Sequence, residues 1–277
     1  MRGIKDPMDT PAGLLAATVS RAPAAPLVTW YGDAAGERVE LSGTTLANWV
    51  AKCANLLQEE FDVGPGSTVA VALPVHWQTA AVLLAAWSCG AAVLDTAAED
   101  EGRLAAADVV LAAQDRLAAL GDAGAVGGAD GPPLLGLSLH PLGLGMRDYV
   151  GSARDFALEV RTAADVFVAW APPDPAGPGL AAGGLELALG QLVSTARELA
   201  ATAGLRAGDR VLVDVATAAE AGPIAWLLAP LAAGASMVLS GRAAPDVLAA
   251  RAAEERVTVS FGVEVPGLRR AGDGRTR

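Results

Sequence analysis

This chain of 277 residues has only two histidines, two cysteines and a deficit of basic residues, and each shortage excludes a class of function. His76 and His140 stand far apart, so no metal-ligand cluster of ordinary spacing can be drawn. Cys53 and Cys89 lie inside apolar helical patterns, without a CxxC pair or a nearby histidine, and read as buried reduced thiols. Lys and Arg number 20 against 31 Asp and Glu, giving a net charge of −11 with no basic stripe to offset it. That balance excludes electrostatic recognition of nucleic acid or of an anionic membrane and reads as a solvated surface. No GxSxG is present and neither histidine has an obvious Ser/Asp set, so a triad hydrolase is not indicated. The most apolar runs, 79–94 and 224–239, are broken by Gly or Pro and fall short of the roughly 20 residues a membrane helix needs. The opening MRGIKDPMDTPAG has no apolar stretch of signal-peptide length, and a cytoplasmic location is expected.

What the chain does have is hydrophobic residues, 52% of the total, arranged as strands alternating with helices. After a loose arm over 1–10, a short helix over 14–20 precedes two strands, 27–31 and 37–41, joined by the turn residues Gly32 to Gly36. Ser42 offers an N-cap for a helix over 45–60, with Leu46, Val50, Cys53, Leu56 and Leu57 on one face. Trp49 shares that periodicity and reads as core rather than as a cofactor platform. Strands are predicted over 68–73, 91–94, 108–112, 134–139, 210–215, 235–239 and 257–262. Helices are predicted over 77–89, near 148–160, and over 185–203, 219–232 and 246–255. The pattern predicts an α/β fold with parallel-type sheets and helices on both faces. Residues 11–266 form one domain, with a sub-boundary near 121–165, and 267–277 read as a frayed tail.

The stretch 165–190, DVFVAWAPPDPAGPGLAAGGLELALG, has the order of a phosphate site: a buried strand over 166–170, a Pro/Gly-rich loop over 171–184, and a helix from about Leu185. Backbone N–H groups at a helix start favour anions, and Gly177, Gly179, Gly183 and Gly184 supply a permissive backbone. The loop lacks the Lys and the Ser/Thr hydroxyls that complete such sites. Asp95, Thr96 and His140, also at strand ends, are further candidates to line a pocket, although turn chemistry or capping accounts for each.

Four passages, in register, resemble the N-terminal half of the adenylate-forming superfamily of acyl-CoA synthetases, luciferases and peptide-synthetase adenylation domains. They are 39–94, with GPGSTVAVAL and AAVLLAAWSCGAAVL; 204–216, GLRAGDRVLVDVA; 222–239, GPIAWLLAPLAAGASMVL; and 255–266, ERVTVSFGVEVP. The alanine-rich composition suits a short actinobacterial branch of that superfamily. The resemblance implies that the family's phosphate loop, TSGTTGxPKG, falls on VAWAPPDPAGPGL at 168–180. There Trp170, Pro172, Pro173, Asp174 and Pro175 replace its hydroxyls and Lys. Asp174 sets a carboxylate where ATP phosphates would lie, and proline removes N–H donors.

The superfamily's second half, with its adenine-binding loop and C-terminal Lys, has no counterpart after Pro266. The expectation is therefore a truncated, non-catalytic interaction or ligand-binding module, with no resident cofactor. A homodimer or a protein partner would cover the face left open. The alternative is retained binding of ATP, AMP, coenzyme A or an acyl compound, with weak adenylate-forming activity completed by a partner chain. The degenerate loop, Trp170, Asp174, Gly177, Gly179, Gly183 and Gly184, is the candidate site of that alternative.

Overall fold

The computed structural model describes residues 9–32, 36–95, 101–122, 126–128 and 130–272. Along the chain run α1 (Pro11–Arg21), β1 (Pro26–Tyr31), β2 (Arg38–Ser42), α2 (Gly43–Phe61), β3 (Thr68–Ala72), α3 (Trp77–Ser88) and β4 (Ala92–Asp95). Next come α4 (Glu101–Ala105), β5 (Val109–Ala113), α5 (Leu117–Asp122), β6 (Leu134–Leu137), β7 (Arg154–Asp155) and α6 (Phe156–Val160). The hairpin β8 (Pro178–Ala182) and β9 (Leu185–Ala188) leads into α7 (Leu189–Thr202), β10 (Arg210–Asp214) and α8 (Val215–Ala221). Then follow α9 (Ala229–Ala233), β11 (Ser236–Ser240), α10 (Pro245–Glu254), β12 (Val259–Phe261) and β13 (Arg269–Arg270). One sheet has the order β13-β12-β10-β11-β1-β2 and the other β7-β6-β5-β3-β4-β8-β9. All pairings are parallel except β1 with β2 and β8 with β9. This is the predicted α/β class.

Helix α3 joins the two sheets. Every one of its residues is buried, and it packs on β1 of one sheet and on β3 and β4 of the other. A helix apolar on all sides belongs in the interior, and WQTAAVLLAAWS is that sequence. One apolar cluster accordingly runs from Val28 and Leu239 through Leu84 and Trp87 to Val71 and Leu111. Helix α2 follows the amphipathic rule: Ser42 caps it by accepting from the Thr45 N–H at 3.1 Å, and Leu46, Val50, Cys53 and Leu57 face inward. Burial pushes the Cys89 thiol up to about 12 and raises Cys53 further, consistent with two inert thiols. Among the described residues no single helix is long and apolar enough to cross a membrane.

Several expected boundaries move, each for a local reason. The helix expected over 148–160 shrinks to α6, because Asp148 sits at φ 53° and Gly151 packs against the Tyr149 ring. The helix expected over 219–232 breaks at Gly222 (φ 77°) and Pro223, then continues through a π turn over Ile224–Leu228 into α9. The strand expected over 134–139 ends at Leu137, two residues before Leu139 at φ 54°. The start of the predicted tail is ordered: β13 pairs in parallel with β12, and Arg269 holds Asp209 through two hydrogen bonds of 2.7 and 2.8 Å. At the other end, Thr10 caps α1 and Asp9 pairs with Arg197 at 3.1 Å. Residues 33–35 of the first hairpin loop and part of the 121–133 loop lie outside the described residues.

Glu255, just past α10, ties the first sheet together. Its buried carboxylate accepts from Tyr31 Oη at 2.7 Å, Arg38 Nε at 2.8 Å and Arg210 Nη2. Arg210 also donates to Thr29 at 2.8 Å, linking β1, β2, β10 and the end of α10. Burial opposes ionisation, but the hydrogen bonds from Arg38, Tyr31 and Arg210 outweigh it and hold Glu255 down at about 2. A carboxyl lowered from 4.5 to about 2 stabilises the fold fully above pH 4.5, and that contribution, on the order of 3 kcal/mol, is lost as pH falls toward 2. We predict that Glu255→Gln, leaving two arginines without their shared anion, costs roughly 3–5 kcal/mol at pH 7 and flattens stability between pH 4.5 and 2. Urea unfolding across that range measures both effects; an unchanged slope would assign the acid sensitivity elsewhere.

Candidate functional site

Residues 166–170 do not form the buried strand expected there, and the segment 163–170 lies outside both sheets. Val166, Val168 and Trp170 are 74, 77 and 61% exposed, and no sheet neighbour pairs with them. Side chains of α2 hold the segment instead. Lys52 Nζ donates to the Ala163 carbonyl at 2.5 Å, and Asn55 Nδ2 donates to the carbonyls of Ala164 and Val166 at 2.8 and 2.9 Å. Gln58 gives its Nε2 to the Val168 carbonyl at 3.1 Å and accepts the Trp170 N–H at 3.0 Å through Oε1. Asn55 and Gln58 are almost wholly buried, so these bonds satisfy amides that would otherwise be costly.

The following loop folds back on α7. Asp174 makes an Asx turn: Oδ1 accepts the Ala176 N–H at 2.9 Å, and its carbonyl accepts the Gly177 N–H at 2.7 Å. Gly177 and Pro175 then offer carbonyls to the N–H groups of Leu189 and Gly190, at 2.9 and 2.8 Å. The Ala188 N–H donates to Gln191 Oε1 at 2.8 Å. Three of the four N–H groups at the start of α7, donors an anion would use, are therefore committed to the protein itself. Gly179 is packed against α7, where a Cβ would lie 2.9 Å from both the Leu189 nitrogen and Leu192 Cδ1, and its carbonyl accepts from Trp87 Nε1 at 2.7 Å.

Gly183 and Gly184, at φ 54° and 84°, do not start a helix. They are the two-residue turn between β8 and β9, and α7 begins at Leu189 rather than Leu185. Positive φ at both central positions suits the tight hairpin turn whose twist matches its strands, which is why Gly-Gly stands there. Of the six loop residues, Asp174, Gly177 and Gly179 thus lie along the α7 start, Gly183 and Gly184 stand at the far tip of the hairpin, and Trp170 hangs from α2.

Two hollows open at the C-terminal ends of the parallel strands, where open α/β sheets bind ligands. One, of about 420 Å³, is lined by Val71, Pro74, Thr79, Asp115, Gly222 and Trp226, so it lies between the end of β3 and the π turn of the other sheet. Single π turns concentrate at functional sites, and this one was illegible in the sequence except as the Gly222-Pro223 break. The second, of about 320 Å³, is lined by Trp30, Glu37, Ser138, His140 and Arg147. His140 therefore reaches a hollow, with its Nδ1 accepting the Leu142 N–H at 3.1 Å. His76 instead caps α3 by accepting the Gln78 N–H at 3.1 Å, packs edge-on to Trp30, and is pushed down to about 3 by burial. Asp95 ends β4; its side chain and Thr96 lie outside the described residues. Among the described residues no cluster of His, Cys, Asp or Glu could hold a metal ion.

The fold is that of the N-terminal part of adenylate-forming enzymes. A fatty acyl CoA synthetase of Mycobacterium tuberculosis superposes with a TM-score of 0.70 at 17% identity, over 95% of this chain and 52% of its own. The anthranilate CoA ligase AuaEII, solved with anthranoyl-AMP, gives 0.71 at 16% identity, over 91% of this chain and 49% of its own. An inhibitor-bound N-terminal domain of FACL13 from Mycobacterium tuberculosis gives 0.70 at 17% identity, over 91% and 62%. The chain spans about half the length of these full enzymes. No protein-family model matches it. In sequence it is 43% identical over 243 residues to a TIGR03089 family protein of Mycobacterium tuberculosis (strain ATCC 25618 / H37Rv), covering 85% of this chain and 91% of that relative. The chain belongs to the TIGR03089 family.

Because Asn55 donates to two carbonyls of 163–170, Asn55→Ala loosens that segment. We predict a loss of about 1–3 kcal/mol, from two carbonyls losing a buried donor, and faster amide exchange confined to 164–170. Exchange unchanged there would mean that other contacts hold the segment.

Proposed function

We propose that this protein is a non-catalytic member of the adenylate-forming fold, working as an interaction or ligand-binding module. The reading rests on the region equivalent to the phosphate loop. From Asp165 to Gly184 it has no Lys, Ser or Thr, and its own carbonyls and Gln191 occupy the N–H groups of Ala188, Leu189 and Gly190. A nucleotide phosphate approaching α7 would have to displace those bonds and meet the carboxylate of Asp174 in a loop without Lys, Ser or Thr. The partner in this reading is a second copy or another protein that covers exposed Val166, Val168 and Trp170. The acidic surface suits a cytoplasmic setting.

A second reading is favoured by the hollow of about 420 Å³ beside the π turn, which falls in the size range of small-ligand pockets. In it, the protein retains a small acyl or nucleotide ligand between the sheets, with any weak adenylate-forming step completed by a partner chain. Thermal unfolding with Mg·ATP, AMP and coenzyme A separates the two. A ligand of the folded state alone raises Tm as RT ln(1 + [L]/Kd), and we predict no rise with Mg·ATP at millimolar concentration. A saturable rise abolished by Ala219→Trp, which fills the hollow, would replace the first reading with the second.

A further inference from the structure

We propose that the hollow of about 320 Å³ between the β1–β2 hairpin and the loop after β6 binds a small zwitterion, its ammonium at Glu37 and Trp30 and its carboxylate at Arg147 and His140. The proposal goes beyond both readings above. This hollow shares no lining residue with the one beside the π turn, nor with the segment 163–184.

The cation end comes from the first sheet. A Cβ on Gly32 would lie 2.0 Å from Glu37 Oε2 and 2.7 Å from Trp30 Cη2, so the carboxylate and the indole edge crowd one point and are neighbours. Glycine leaves room for that approach. Trp30 is itself braced by the buried His76 ring, with centroids 4.5 Å apart. A carboxylate beside an indole selects an ammonium, through a charge-assisted hydrogen bond and cation–π attraction.

The anion end comes from the loop 138–147 of the second sheet, which is tied down along its length. Ser138 Oγ donates to the Leu144 carbonyl at 2.5 Å and accepts the His140 N–H at 3.2 Å. Trp77 Nε1 donates to the Pro141 carbonyl at 3.1 Å, and Gln114 Nε2 donates to the Arg147 carbonyl at 2.7 Å. Because His140 Nδ1 accepts the Leu142 N–H, its Nε2 carries the hydrogen and is a donor. Between Ser138 and His140, Leu139 sits at φ 54°, a conformation leucine rarely adopts. Strain of that kind persists where the surroundings enforce it, and it collects at ligand sites.

The free valences match such a ligand. Among the described residues nothing pairs with the Glu37 carboxylate, the Arg147 guanidinium or His140 Nε2. A simple anion would meet Glu37 and a simple cation would meet Arg147, each a like charge in a confined space. A molecule carrying both charges satisfies both ends and bridges hairpin and loop. The volume lies at the lower end of the range for small-ligand pockets, which suits a short molecule.

Isothermal titration calorimetry tests this with glycine, β-alanine and γ-aminobutyrate, which set the two charges progressively farther apart. Propionate and propylamine supply each charge alone. Expected is saturable binding of at least one zwitterion at millimolar concentration, with propionate and propylamine at least tenfold weaker. Glu37→Gln and Arg147→Gln, whose charged groups hold no partner in the fold, should keep the wild-type Tm and each weaken that zwitterion at least tenfold. No saturable heat with any of the three, or equal affinity for propionate or propylamine, would overturn the proposal. Binding that either variant leaves intact would overturn the two-ended site. None of these outcomes bears on the N–H groups of α7, so the non-catalytic reading is tested separately.

Discussion

Two carbonyl oxygens, those of Pro175 and Gly177, decide what the start of helix α7 can do. A helix N-terminus presents unsatisfied N–H groups that attract anions unless the chain supplies acceptors of its own. Here the Asx turn at Asp174 bends the loop so that both carbonyls reach Leu189 and Gly190. The prolines around Asp174 hold φ near −65° and stiffen the bend, so the loop loses little entropy in holding that shape. The helix start is thereby closed by two backbone carbonyls and the Gln191 side chain, without lysine or hydroxyl groups. A fold likeness to acyl-CoA synthetases gives the scaffold alone, and the chemistry at this corner is read from the chain's own residues.

The same economy extends upstream. In place of a sheet partner, residues 163–170 are bonded by Lys52, Asn55 and Gln58, spaced three apart on one face of α2. That face is polar where the segment crosses it and apolar where α2 meets α3, so one helix both builds the core and holds the exposed segment. The core is in turn set by α3, whose complete burial obliges the two sheets to stay together. Lower down, the buried Glu255 joins strands and helix ends of the first sheet through hydrogen-bonded arginines, an arrangement that needs every partner present.

Most of the sheet and helix order was legible because its periodicities are strong: apolar runs for β3 and β10, a 3.6-residue stripe for α2, and all-round apolarity for α3. The errors fall where one residue pattern fits two structures. Leu185 shares helical spacing with Leu189 and Leu192, yet Gly183-Gly184 makes it a strand residue by closing a hairpin. Val166 to Trp170 has the composition of a core strand, and only the buried amides of α2, far away in sequence, show that it lies on the surface. The ordering of Arg269 depends on Asp209, sixty residues earlier, and no local signal carries it. The loop's missing Lys and hydroxyls were legible; its capture of the α7 N–H groups was not, because carbonyl direction is a property of the folded turn.

The central claim is that these N–H groups are closed to nucleotide phosphates, and its most direct measurement is an NMR titration following the amide resonances of Ala188, Leu189 and Gly190. With Mg·ATP and with inorganic pyrophosphate, the account predicts that these three resonances stay in place to millimolar concentration. A saturable downfield shift of Leu189 and Gly190 with either compound would mean that the loop carbonyls yield to phosphate, and would contradict it.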